Sequence, residues 1–245
     1  MQNKNILIFI PTYNEKDNVQ VIVDLIKKNH SYIDILFLDD NSPDGTGKIL
    51  DKLSKVNNNI SVIHRKGQKK GIGSAHVEGI NYAYDKAYDY VLTMDCDLSH
   101  SPEYFDSFFD KSNNADLIIG TRFKLNDSIK TWNLYRKILT NLGHFASKFL
   151  LGLSYDTTGA FRLYNLTTID KKFLELIQFH RYSFFFESLF IIHNNNYKIT
   201  EIPISLPSRV YGSSKQKFSD VFFGIKNLLS IFYSRLFNKK KYKIN

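Results

Sequence analysis

The chain has 245 residues, 43% of them hydrophobic, a formal net charge of +9 and one cysteine, Cys96. This is enough for one large α/β domain or two small ones with a real core. The single cysteine excludes a disulfide framework within the chain and fits a reducing compartment. The charge is uneven, since from Arg209 onward nine basic residues face one acid, Asp220, and a protein binding nucleic acid across its body would carry the excess elsewhere too.

The first residues run straight into a strand with no charged and apolar leader, so no signal peptide is expected. Asn-x-Ser/Thr matches such as Asn165 to Thr167 then read as chance. Ile6 to Ile10 reads as a strand, and Asp17 and Asn18 are candidate caps for a helix with Val19, Ile22, Val23 and Ile26 on its apolar face. A strand at Ile35 to Leu38 is followed by a turn cluster, Ser42 to Gly47, and a helix carrying Ile49, Leu50 and Leu53. Ile60 to His64 is a third strand, and a basic glycine loop from Arg65 to Gly73 leads into a helix from about Ser74 to Ala87. Val91 to Met94 is a strand, Pro102 sits where a helix would begin, and Ala115 to Gly120 is a further strand. Residues 133–151 have a helical period in Leu134, Ile138, Leu142, Phe145 and Phe149. Asp156 to Tyr164 is a loop entering a strand, Phe184 to His193 an aromatic helix, and Ile199 to Leu206 a strand. Strands alternating with helices predict a mostly parallel sheet flanked by helices.

Two apolar strands stop abruptly on carboxylates, one at Asp39 and Asp40, the other at Asp95 and Asp97. Ligands of open parallel sheets bind at the carboxyl ends of the strands. Four carboxylates there repel one another unless a cation or a ligand's donors offset them. A hard divalent cation with oxygen ligands fits, together with phosphates held through it, which points to a nucleotide-sugar site. The pair Gly71 and Gly73 fails as a dinucleotide fingerprint, because no apolar strand leads directly into it and the third glycine is misplaced.

After Pro207 to Ser214, the best candidate boundary, the tail repeats Phe218, Val221, Phe222, Ile225, Leu228, Leu229, Phe232 and Leu236 at helical spacing and ends in the basic run Lys239 to Lys243. It lacks the roughly 20 uninterrupted apolar residues of a membrane span. An amphipathic helix flanked by a polybasic cluster suits the membrane interface; the alternative is a final helix packed on the core with a solvated basic end.

Taken in order, Pro11 to Glu15, Asp39 to Thr46, Lys70 to Ala75, Asp95 to Pro102, Gly120 to Arg122, Thr158 to Arg162 and Arg209 to Lys215 form one series. The series resembles the dolichyl-phosphate (polyprenyl-phosphate) mannosyl synthases of glycosyltransferase family 2, over about residues 5–235. The resemblance implies a GT-A catalytic domain over residues 1–208 and a phosphate-binding loop with a membrane-surface tail over 209–245. It implies that Pro11, Tyr13 and Glu15 hold the nucleoside, with Leu38 and Asp40 beside base and ribose. Asp95 and Asp97 would flank the diphosphate, with Asp95, Asp97 and Ser99 as the candidate set for Mg²⁺ or Mn²⁺, and Asp97 foremost. Ser99 stands where relatives often carry Gln, and Cys96, where Ala is usual, would act through its backbone. Arg122 would reach the sugar-nucleotide or the acceptor phosphate, and Arg209 and Lys215 phosphates at the mouth of the site, since guanidinium matches phosphate oxygens. Asp97, Arg122 and Arg209 are the expected catalytic residues.

The implied reaction is an inverting transfer of mannose from GDP-mannose to a polyprenyl (dolichyl) monophosphate, at the cytoplasmic face of a membrane. Some relatives use small membrane subunits, so such a partner fits; nucleic acid does not. UDP-glucose or another nucleotide-sugar remains an alternative donor, and a nonenzymatic nucleotide-sugar-binding subunit an alternative role. A nucleotidyltransferase would want a glycine-rich basic loop after the first strand, where this chain has Pro11 to Glu15.

Overall fold

The computed structural model of the chain describes residues 4–66, 71–207 and 218–244. Its seven strands are β1 (Ile6–Thr12), β2 (Asp34–Asp39), β3 (Ile60–His64), β4 (Tyr90–Thr93), β5 (Leu117–Thr121), β6 (Arg162–Asn165) and β7 (Ile199–Pro203). The helices are α1 (Val19–His30), α2 (Thr46–Val56), α3 (Ile72–Asp85), α4 (Phe105–Lys111), α5 (Leu134–Leu151), α6 (Phe184–Asn194) and α7 (Phe218–Phe237). The strands form one sheet in the order β3-β2-β1-β4-β6-β5-β7. Only β6 opposes its neighbours, pairing antiparallel with both β4 and β5. This is the mostly parallel sheet that the alternating strands and helices predict.

The period of two along each strand sends alternate side chains to opposite faces. In β1, Leu7 and Phe9 join one core and Ile8 and Ile10 the other. Both faces are covered, which is why the strands read as apolar runs rather than alternating ones. Helix α3 closes tightly on β1, since a Cβ on Gly79 would lie 2.2 Å from the Phe9 ring. Asn18 stands at the N-cap of α1 but makes no capping bond; its amide donates to Glu15 Oε2 at 2.6 Å.

Helix α7 packs beside α5, burying Leu228, Ile231 and Ser234, and Arg235 donates to the Leu150 carbonyl at 2.8 Å. Residues beyond it fold back onto α6. Tyr242 is 1% exposed, its ring meets Phe190 edge-on at 5.5 Å, and its carbonyl accepts from Asn194 and Asn195 at 3.1 and 2.8 Å. Its hydroxyl donates to the buried Glu187 at 3.4 Å. The helix is thus fastened to the body at both its flank and its end.

Two consequences can be measured. Gly79→Ala forces a clash on Phe9 and should cost about 1–3 kcal/mol, read as a lower denaturation midpoint. Burial pushes the Glu187 carboxyl from 4.5 up to about 7, against the hydrogen bonds from Phe179 and Gln178. A raised carboxyl favours the folded state fully below the unfolded value and loses that contribution as the pH rises through the folded one. Thermal stability should therefore fall between about pH 4.5 and 7, and Glu187→Gln should flatten that slope.

Candidate active site

Because β1, β2, β4 and β5 share one direction, their carboxyl ends lie at one edge of the sheet. The antiparallel β6 brings its amino end, Arg162, to the same edge opposite Thr93. Asp39 and Asp40, Asp95 and Asp97, Arg122, and the loop from Asp156 to Thr158 therefore converge there.

The turn after β4 is built to present carboxylates. Leu98 takes a left-handed φ of 64°, turning the chain back so that Ser99 donates to Asp97 Oδ1 through both its N–H (3.1 Å) and its hydroxyl (2.6 Å). The Asp95 N–H donates to Nδ1 of His100 at 2.9 Å, and the imidazole stacks on Phe161 at 4.8 Å. Asp97 is buried while the Asp95 side chain is 35% exposed. Cys96 is 3% exposed and packs in the core, which leaves its backbone as the part at the edge. Two carboxylates and a hydroxyl within one turn make a hard-oxygen donor set suited to Mg²⁺ or Mn²⁺. Among the described residues no cluster of three or more His, Cys, Asp or Glu could cage a metal alone. Such a set suits a cation whose remaining ligands are substrate phosphate and water.

Arg122 follows β5 and is clamped by Asp156. Its Nε donates to Oδ2 at 2.8 Å, Nη2 to Oδ1 at 2.6 Å, and Nη2 also to the Thr158 hydroxyl at 2.5 Å. Asp156 is 0% exposed. Burial opposes its ionisation, but the charge and hydrogen bonds of Arg122 outweigh that and hold the carboxyl below its usual range. Burial likewise works against the Arg122 charge, and Asp156, then Asp95, overcome it. The fork expected to grip phosphate is therefore engaged by Asp156, leaving Nη1 as the nitrogen that neither Asp156 nor Thr158 engages. The Asp156 N–H donates to Glu201 Oε1 at 2.7 Å, and Glu201 pairs with Lys124 at 3.0 Å. Arg162 faces inward, donating to the carbonyls of Thr157 and Phe185 at 3.1 and 2.9 Å, and so ties this loop to α6.

On the other flank, Asp40 pairs with Arg65 at 3.0 Å, both nearly enclosed, and Arg65 donates to Ser74 at 2.7 Å. Asp39 accepts from Ser42, and the Asn14 N–H donates to the Ser42 hydroxyl at 2.9 Å. The Glu15 N–H donates to Thr46 at 2.9 Å. Tyr13 is half-buried and Pro11 buried. Leu38 is fully enclosed in the core, so its side chain is withdrawn from the edge and only its backbone remains there. Arg209 and Lys215 lie outside the described residues.

The family model for glycosyl transferase family 2 matches residues 7–198, most of the chain. The chain belongs to glycosyltransferase family 2. It is similar to the polyprenol monophosphomannose synthase of Mycolicibacterium smegmatis, 33% identical over 88% of this chain and 82% of that protein. It is also similar to the undecaprenyl-phosphate mannosyltransferase of Micrococcus luteus, 31% identical over 86% of each. Among solved structures, the glucosyl-3-phosphoglycerate synthase of Mycobacterium tuberculosis with Mn²⁺, UDP and phosphoglyceric acid superposes with a TM-score of 0.66, covering 96% of this chain and 79% of that one at 14% identity. This likeness establishes the GT-A fold.

This family 2 glycosyltransferase also holds residues at the site that the strand ends alone do not announce. Asp156 opens the stretch leading to Thr158 and Arg162, and its acidity ahead of a run rich in small residues is the available signal. Arg65 is hidden among the charges of the glycine loop, and His100 in the turn after the aspartates. Breaking the buried pair with Asp156→Ala should cost about 3–5 kcal/mol, because a guanidinium is stranded. A depressed carboxyl contributes stability above the unfolded pKa of about 4 and loses it as the pH falls, so acid unfolding monitored by circular dichroism should be less steep in the Asp156→Asn variant.

Proposed function

We propose that this glycosyltransferase moves mannose from GDP-mannose to a polyprenyl (dolichyl) monophosphate with inversion, giving a lipid-linked β-mannosyl phosphate. The observation that carries this reading is the extended similarity to two enzymes whose names give polyprenol monophosphomannose synthesis and undecaprenyl-phosphate mannosyl transfer. The carboxylate turn facing a clamped arginine across one sheet edge supports it.

Pro11, Tyr13, Glu15 and Asp40 hold the nucleoside, and the Asp40–Arg65 pair stiffens that wall. Asp97, with Asp95 and Ser99, holds Mg²⁺ or Mn²⁺, which when bound supplies Lewis-acid stabilisation of the leaving diphosphate. Arg122, fixed by Asp156, presents a preoriented positive charge to a phosphate with little reorganisation. The acceptor phosphate is an anion at neutral pH and attacks the anomeric carbon without a general base. The bond to the nucleoside diphosphate breaks on the opposite side, so an α-linked donor yields a β-linked product. Arg209 and Lys215 serve phosphate at the mouth, and residues 209–245 act as the membrane-surface tail on the cytoplasmic face, alone or with a small membrane subunit.

The test is transfer of radiolabelled sugar to a polyprenyl phosphate in detergent with Mg²⁺ or Mn²⁺. Labelled lipid should form from GDP-mannose and not from UDP-glucose, and Asp97→Ala should lower kcat/KM by about 100-fold or more. Transfer from UDP-glucose alone would overturn the donor assignment.

A further inference from the structure

Glu187 is the one carboxylate of α6, and the reaction described above does not use it. It is 0% exposed. A carboxylate enclosed this far persists where its oxygens are engaged, and here two separate segments engage them. Oε2 accepts from the N–H of Phe179 at 2.9 Å, and both oxygens accept from the N–H of Gln178 at 3.1 Å. Oε1 also accepts from the Tyr242 hydroxyl at 3.4 Å. Glu187 therefore joins the loop ahead of α6 to the segment beyond α7.

That loop is the seat of α3. Directly after Phe179, the His180 carbonyl accepts from the Ser74 N–H at 3.0 Å. A Cβ on Gly73 would lie 2.6 Å from the Arg181 carbonyl oxygen, and one on Gly71 2.9 Å from that of His180. The two segments thus meet backbone against backbone, an approach that glycine permits. The Ser74 hydroxyl in turn accepts from Arg65 Nη1 at 2.7 Å. Arg65 Nη2 donates to the Gly71 carbonyl at 3.3 Å and pairs with Asp40 at 3.0 Å. An unbroken run of hydrogen bonds and ion pairs leads from Glu187 to Asp40. Close-packed segments of this kind pass a displacement on rather than absorb it. The loop is also held from α7, where Asn227 donates to the Ser183 hydroxyl at 2.9 Å and Asp220 pairs with Arg181 at 3.4 Å. We propose that Glu187 is a positioning residue for the donor's nucleoside. It acts through residues 178–181 and the start of α3 on the Arg65–Asp40 pair, and Tyr242 belongs to the same brace. This deepens the reading of Asp40 as part of the nucleoside wall and rests on it for what binds there. It gives the last few residues of the chain a part in donor binding.

The experiment combines amide hydrogen exchange of the ligand-free full chain with calorimetric titration by GDP and Mg²⁺. Glu187→Ala removes both acceptor oxygens, Glu187→Gln keeps one, and Tyr242→Phe removes only the hydroxyl. Exchange at residues 71–76 should quicken in all three variants, while β1 keeps its wild-type rates. The GDP Kd and the donor KM should rise about tenfold in Glu187→Ala and about threefold in the other two, with kcat unchanged. Tyr32→Phe, at an exposed site after α1, should alter none of these. Because Glu187 acts through Arg65, the losses from Glu187→Ala and Arg65→Ala should fail to add in the double variant, a result that general loosening of the fold would not give. Glu187→Gln takes the place of the alanine variant in that cycle where the latter does not fold. Wild-type exchange at residues 71–76 in Glu187→Gln and Tyr242→Phe would overturn the proposal, as would an unchanged Kd or additive losses. Binding of UDP in place of GDP would overturn the donor reading, and the same variants read with UDP would then decide this one. Binding of neither nucleotide would overturn both.

Discussion

A guanidinium and a carboxylate enclosed together in the wall of the site persist only as a pair, because either charge alone would be too costly to bury. The Arg122–Asp156 clamp sets much of what surrounds it. Asp156 must arrive at the edge from a strand running against its neighbours, which β6 provides, and Glu201 on β7 must hold its backbone in turn. The result is a positive charge whose position is decided before any ligand is present. Opposite it, Asp95 and Asp97 are fixed by their own short turn. An edge with fixed charges of both signs suits transfer of a group between two phosphates, since little has to rearrange as charge moves from one to the other.

The flank beside β1 and β2 is built on the same economy of buried pairs. Asp40 meets Arg65, and Asp39 is occupied by Ser42, so the four carboxylates that crowd the sheet edge in sequence are not equivalent in space. The Arg65 charge offsets Asp40, while Asp39 and Asp97 each accept hydrogen bonds from a nearby serine. Asp95 stays partly open to solvent, next to the buried Asp97.

Much of this was legible from the chain alone. Apolar runs gave the strands, two of them with carboxylates at their working ends, and the sequence placed α1, α3, α5, α6 and α7 to within a few residues, while α4 was announced only by Pro102. What spacing cannot convey is which side of a helix is covered. The stripes of α5 and α7 have the period of a core face and lie in the open, because period reports that a face is apolar and not what meets it. Nor could the partnership of Arg122 with Asp156 be read, since they are 34 residues apart and meet only through the reversed direction of β6. Leu38 illustrates the converse: a residue at the right strand end can still point inward, as the pleat dictates.

The sheet order carries a consequence for how the molecule assembles. Strands β1 to β4 neighbour one another and can hydrogen-bond into a unit before anything later in the chain exists. Strand β5 has no such option, because its neighbours are β6 and β7, both later in sequence. As the chain emerges, the segment from Leu117 to Arg122 must wait through α5 and the loop beyond it until Arg162 to Asn165 are made. The aspartates are thus in place first and the arginine joins last. Helix α5, which lies between β5 and β6 in sequence, is made during that interval, so the site is completed only after the chain has passed through it.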